Sequence, residues 1–221
     1  MNIEVKKSVI NNKNIKYSST QLDIMYAAEM VIGKKGIENT THRDIIKQSN
    51  QKNISAINYH FKNLDEVIDG ILNIRMDVMM SERKEFIEKA EKDHVITNLD
   101  LVKAYILPLY KRVFYDPEWK YYIFFINDLL LNNTHQTVNN LLKYNFPSSI
   151  VEKRIAQINN YPNDFIFKER IMSNGRFYIS SLAARKREID SGNIDILTEK
   201  EYLEFLLKTS TGIKSGKQEV F

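Results

Sequence analysis

Ser55, Ala56, Asn58, Tyr59 and His60 fall within six consecutive positions, with Thr41 and Arg43 shortly before them and Lys62 just after. These are residue types that read and hold a nucleic acid. Asparagine pairs with adenine, serine bonds several base edges, and an alanine methyl touches the methyl of thymine. Cations, and the free N–H groups at a helix start such as Thr41, seat phosphates. No other cluster in the chain has comparable chemistry. His94 and His135 lack a second histidine or carboxylate at the spacing of a metal-binding helix. No GxGxxG, GxxxxGK or GxSxG is present. Cysteine is absent, which excludes disulfides, thiolate metal sites and cysteine nucleophiles. Acids such as Glu169, Glu188 and Asp190 are scattered as solvated helix faces are. The expectation is a protein that is not an enzyme and takes no cofactor or metal.

Three capping signals within thirty residues must position that cluster. Thr41 with Asp44 opens a helix of about two turns through Ile45 and Ile46, ending near Ser49-Asn50. Asn53 is an N-cap candidate for a second short helix over Ile54 to His60. There Ile57 and Phe61 point inward, and Ser55, Ala56, Asn58 and Tyr59 point elsewhere. Asn63 with Glu66 starts a long helix through Ile71 and Met79 to Phe86, in which Gly70 costs about 1 kcal/mol relative to alanine. Ahead of these, Ile24, Ala27, Ala28, Val31 and Ile32 form an amphipathic stripe closed by Lys34-Lys35-Gly36. Short helices are marginal alone. Helix, short helix, polar turn, short helix is a helix-turn-helix layout, which gains from fixing one reading face.

The order of these residues carries a resemblance. A helix ending in KKG, then TTHRDI, AINYHF and KNLDEVI, resembles the DNA-binding domain of the TetR family of transcriptional repressors over about residues 20–70. Between Arg43 and Tyr59 this chain is one residue longer than the family pattern, at Gln51 or Lys52, and Asn50 stands where the turn normally carries glycine. The resemblance implies Thr41 and Lys62 on phosphates, Ser55, Ala56 and Asn58 facing base edges, and Tyr59 and His60 near the backbone or groove wall. Two other readings stand beside it: His60 packed over the helix junction, and Tyr59 as a half-buried wedge.

The resemblance further implies an all-α chain. Residues 1–19 would form a basic arm, 20–66 the helix-turn-helix domain, and 67–221 a larger domain for effector binding and dimerisation. Such a protein is a homodimer on a double-stranded DNA operator, its last two long helices, about Asp164–Arg187 and Thr198–Ser210, pairing with their copies. A small-molecule effector releases it. The alternative is a helical protein–protein adaptor that keeps the layout without DNA binding.

Composition agrees with helices: 43% of residues are hydrophobic, with only seven glycines and four prolines. Residues 1–62 carry ten cations against five acids, although the whole chain is only +4; a basic front suits a polyanion or a solvated lysine-rich surface equally. The start shows no leader pattern and no apolar run is long enough for a membrane, so a cytoplasmic protein is expected. After Asn98, stripes follow at Val102–Val113, at Trp119–Leu130, at Val138, Leu141 and Leu142 before Pro147, and at Val151–Ile158 before Tyr161-Pro162. Thr198 with Glu201 caps the last helix, with Tyr202, Phe205 and Leu206 on one face and a polar tail from Gly212. Between Phe114 and Phe125 lie more rings than one helix face can bury. With Tyr105, the residues Phe114, Trp119, Tyr122 and Phe125 line a pocket for an apolar or aromatic effector, or else fill a core or subunit contact.

Overall fold

The computed structural model describes residues 17–49, 51, 53, 55–132, 150–159, 165–193 and 197–215, and all regular structure among them is helical. Helix α1 (Ser19–Lys35) opens at a capping box that the sequence pattern did not mark. Ser18 Oγ accepts from the Gln21 N–H at 3.2 Å, and Gln21 Oε1 accepts from the Ser18 N–H at 2.9 Å. The helix therefore begins one residue inside the expected arm, whose first sixteen residues lie outside the described ones. It stops where expected, because Gly36 takes φ 81°, a left-handed conformation that a side chain would strain.

Helices α2 (His42–Gln48) and α4 (Leu64–Asp93) begin at the expected caps, Thr41 and Asn63. Helix α3 (Ala56–His60) departs from expectation: it has five residues and starts later than an Asn53 cap would place it. Asn53 Oδ1 accepts from the Ser55 N–H at 2.9 Å, closing a tight local turn. Ser55 then stands at the helix start with no side-chain capping bond.

Helix α5 (Asn98–Tyr115) starts at a Thr97–Asp100 capping box and carries Pro108 inside it. A single 3-10 turn over Pro117–Trp119 leads into α6 (Tyr122–Asn132). Helices α7 (Ile150–Ile158), α8 (Phe165–Asp190) and α9 (Glu199–Ser215) follow, the last opened by the expected Thr198–Glu201 box. It runs past both Ser210 and Gly212, so the expected tail begins later. On it Tyr202 and Leu206 are buried while Phe205 is exposed, which corrects the expected three-residue face. The expected stripe at Val138, Leu141 and Leu142, and the stops at Pro147 and Tyr161-Pro162, lie outside the described residues. No helix among the described residues is long and apolar enough to cross a membrane.

Helix α1 lies against α2, α3, α4 and α6; α5 packs on α4, α7, α8 and α9. The buried apolar residues form one continuous cluster, from Ile24 and Ile57 at the front through Ile71 and Phe125 to Leu206 at the back. Two glycines allow the front contacts. A Cβ on Gly33 of α1 would stand 2.8 Å from the carbonyl oxygen of Tyr121, just ahead of α6. A Cβ on Gly70 of α4 would meet the Met25 side chain of α1 at 3.0 Å, which explains why α4 tolerates glycine there.

These two approaches differ in what must yield. A backbone carbonyl cannot move aside, whereas a methionine end rotates. Gly33→Ala is expected to destabilise by about 1–3 kcal/mol. Gly70→Ala costs less, because regained helix propensity of about 1 kcal/mol offsets the displaced Met25. Urea denaturation of both variants checks the order. Equal losses would mean that α1 and α6 are not held at backbone contact.

Candidate nucleic-acid interface

The face of α3 follows from its two anchors. Ile57 and Phe61 are buried, which turns Ser55, Asn58 and Tyr59 outward to solvent. Tyr59 is 84% exposed, so it is not a half-buried wedge. Its ring meets His60 edge-on at 4.8 Å, and His60 is half-buried. The His60 carbonyl accepts from Gln21 Nε2 at 3.1 Å, tying the end of α3 to α1. Ala56 differs from expectation: it is half-buried and packs against the core rather than standing free. Buried Ile45 and Ile46 seat α2, leaving Arg43 and Lys47 exposed. Lys62 is also exposed, while its backbone N–H donates to Glu66 Oε2 at 2.6 Å and so extends the cap of α4.

Thr41 corrects the expectation of a free phosphate seat. Its N–H and hydroxyl both donate to Asp44 Oδ2, at 2.9 and 2.6 Å, and Lys35 Nζ reaches the same oxygen at 2.6 Å. The Lys35 ammonium, with the Thr41 hydroxyl and N–H, holds the Asp44 carboxyl well below the usual carboxylate range. A carboxylate thus occupies the place where a phosphate would otherwise approach Thr41.

Behind this face lies a buried ion pair. Arg75 of α4 donates from Nε to Glu29 Oε2 at 2.8 Å and from Nη2 to Glu29 Oε1 at 2.9 Å, joining α4 to α1. Nη2 also donates to the Glu118 carbonyl in the 3-10 turn at 2.8 Å. The guanidinium lies 4.4 Å from the Trp119 ring centroid, 5.5 Å from Tyr26 and 5.8 Å from Tyr122. Burial pushes the Glu29 carboxyl up, with Arg75 pulling the other way. A second link joins the turn after α1 to α6, where Asp128 Oδ2 accepts from the Ile37 N–H at 2.8 Å. Asp128, the lone ionisable acid or base between Tyr121 and Leu131, therefore anchors the turn after α1.

The expected effector-pocket residues do not form one wall. Trp119 and Tyr122 are buried around Arg75, and Phe125 packs next to Tyr122 with centroids 6.1 Å apart. Phe114 is half-buried beside Tyr110 at 4.8 Å. Tyr105 stands apart with Tyr178, 5.7 Å between centroids. Among the described residues no group of histidines, cysteines or carboxylates is placed to hold a metal. His94 is not isolated: its Nε2 lies 2.9 Å from Asp100 Oδ2 at the α4–α5 turn.

Sequence reasoning missed the roles of Glu29, Arg75 and Asp128, yet for the ion pair a signal was present. Ile68, Leu72, Arg75, Met79, Arg83 and Ile87 recur every three or four residues on α4, so both arginines interrupt its apolar stripe. An arginine at a core position calls for a buried acceptor. No protein-family model matches this chain, and no curated protein matches it.

Two expectations follow from these contacts. Arg75→Met leaves Glu29 buried and alone, so a loss of about 3–5 kcal/mol is expected. Glu29→Met with Arg75→Met together should recover most of that loss, since a packed apolar pair replaces a buried ionic one at little net cost. Denaturation of both variants measures this, and a double variant as weak as the single would mean that the pair is not an isolated unit. The second concerns acid. Folded Asp44 holds its charge to lower pH than the unfolded chain, so its contribution is fully present above about pH 5 and is lost as pH falls below that. The stability gap between the parent chain and Asp44→Asn should narrow between about pH 5 and pH 2.

Proposed function

We propose that this chain is a homodimeric, DNA-binding transcriptional regulator of the type its front end resembles, a repressor released from double-stranded DNA by a small molecule. The observation that carries the reading is the outward set on α3. Ser55, Asn58 and Tyr59 face solvent on a helix fixed by Ile57, Phe61 and the Gln21–His60 bond, with exposed Arg43, Lys47 and Lys62 around it. Asn58 and Ser55 supply base-edge chemistry, and the cations supply phosphate contacts. Thr41, with its donors engaged by Asp44, acts in this reading by positioning α2.

Dimerisation through α8 and α9 would give two such heads. Exposed Ile166 and Phe205 on those helices are apolar groups that a second copy would cover. Two heads must lie roughly 34–36 Å apart to enter successive major grooves. A tilt of α4 changes that separation, and this is how an effector would release the DNA.

The adaptor reading has two observations in its favour. Helix α3 is little more than one turn long, and Asp44 puts negative charge at the start of α2. A selection from random duplex DNA separates the two. A regulator returns an enriched sequence bound by two chains per duplex, with affinity falling steeply as salt rises. Lys62→Ala should weaken all sequences alike and flatten the salt slope by about one unit. Asn58→Ala should cost about 1–3 kcal/mol and relax preference at one base position. An unchanged preference would make Ser55 or Tyr59 the reader, and no enrichment at all favours the adaptor.

A further inference from the structure

Helix α3 owes its position to few contacts. Its buried anchors, Ile57 and Phe61, lie four residues apart along one line of the chain's surface. Apolar burial has no direction of its own. Two anchors on one line keep α3 from sliding but leave it able to roll about that line. Ala56 adds only a small half-buried contact at the helix start. The roll matters because the outward side chains would read by hydrogen bonds. A roll of about 20° carries an atom about 6 Å from the helix axis by about 2 Å, which is enough to break such a bond.

A directional contact comes from Gln21 of α1. Its Nε2 donates to the His60 carbonyl at 3.1 Å, and among the described residues this is the only hydrogen bond between α3 and another helix. That carbonyl belongs to the last turn of a five-residue helix, where carbonyls lack an intrahelical partner. The same amide is held at its oxygen, which accepts from the Ser18 N–H at 2.9 Å in the capping box of α1. A backbone N–H on one side and a carbonyl on the other decide which end of the amide faces which. Gln21 is half-buried, where a hydrogen bond is stronger than in open water. Because the Tyr59 ring rests edge-on against His60, the bond also orients that exposed ring. We propose that Gln21 is a positioning residue for α3: it sets the roll of that helix, and so the choice of base sequence, without touching a base. The inference rests on the reading of α3 as the helix that enters DNA.

Gln21→Glu separates the two ends of the amide. Glutamate keeps the acceptor for the Ser18 N–H, as a capping box requires, but has no donor for the His60 carbonyl. Gln21→Met removes both. The first measurement is amide hydrogen exchange of the full chain without DNA, at the Tyr59 and Phe61 N–H groups that bond the Ser55 and Ile57 carbonyls. Exchange there is expected to rise about threefold to tenfold in both variants, the range for one intramolecular hydrogen bond. Helix α1 keeps its protection in Gln21→Glu. The second measurement is the ratio of Kd for random duplex to Kd for the duplex that the parent chain selects. The added charge of glutamate weakens both alike and cancels in the ratio. That ratio is expected to fall about threefold to tenfold in both variants. Parental exchange rates in both variants overturn the proposal, whether or not DNA binds. Faster exchange with an unchanged ratio also overturns it, since α3 would then read without Gln21, or Gln21 would hold a phosphate. Faster exchange in a chain that selects no duplex would sink the regulator reading and leave Gln21 as the residue that positions α3.

Discussion

A carboxylate and a guanidinium taken out of water together, Glu29 and Arg75, constrain where four elements can lie. Isolated burial of either charge is far more costly than their mutual attraction can offset unless the geometry is good and the remaining donors are satisfied. Here two parallel bonds join the forks, the Glu118 carbonyl takes a third donor bond, and aromatic faces enclose the cation. Those conditions hold only when α1, α4, the 3-10 turn and α6 are all in place. The pair therefore acts less as a source of stability than as a demand on relative position. A slip of α4 along α1 by one turn would bury two unpaired charges.

The front helices depend on that demand. Seven residues in α2 and five in α3 are too few to be stable alone. Both lean on α1, through Ile45, Ile46, Ile57 and Phe61, and α1 is itself fixed at three points along its length. Glu29 meets Arg75, Gly33 lets the Tyr121 carbonyl approach, and the turn at Ile37 is held by Asp128. The exposed set on α3 thus has a direction defined by α6 and α4, although neither carries an exposed residue of that set.

What the sequence made legible were the elements whose signals are local. Capping pairs at Thr41–Asp44, Asn63–Glu66 and Thr198–Glu201, and the stop at Lys35-Gly36, each depend on residues within one turn, and the structure places helix ends there. The Asn53 cap failed for a local reason of another kind: an asparagine side chain can serve a turn two residues on as readily as a helix start. The outward face of α3 was legible because Ile57 and Phe61 stand four apart. Long-range partners were not. Nothing near Asp128 announces that it serves a backbone N–H ninety-one residues away, and the rings around Trp119 read as pocket walls because their cation sits on another helix. The clue to the rings was an arginine repeated on an apolar stripe, which a count of aromatic residues does not register.

The two stripe arginines of α4 differ in one respect, and the difference gives the helix a direction. Arg75 has its carboxylate, so its end of α4 is committed to a single geometry with α1. Arg83, about 12 Å further along at the usual helical rise, has an Nε–H with no acceptor among the described residues. Tyr122 lies between them, its buried hydroxyl pushed above the ordinary tyrosine range by burial and the Glu29 charge and pulled back by both arginines. A displacement of α4 at its Arg83 end changes the electrostatic field at Tyr122 and the packing of α4 against α5 at once. The Arg75 end cannot absorb such a shift locally, because its bidentate bonds to Glu29 tolerate little sliding. Motion of α4 would be handed to α1 as a whole, and with it to the short helices that α1 carries.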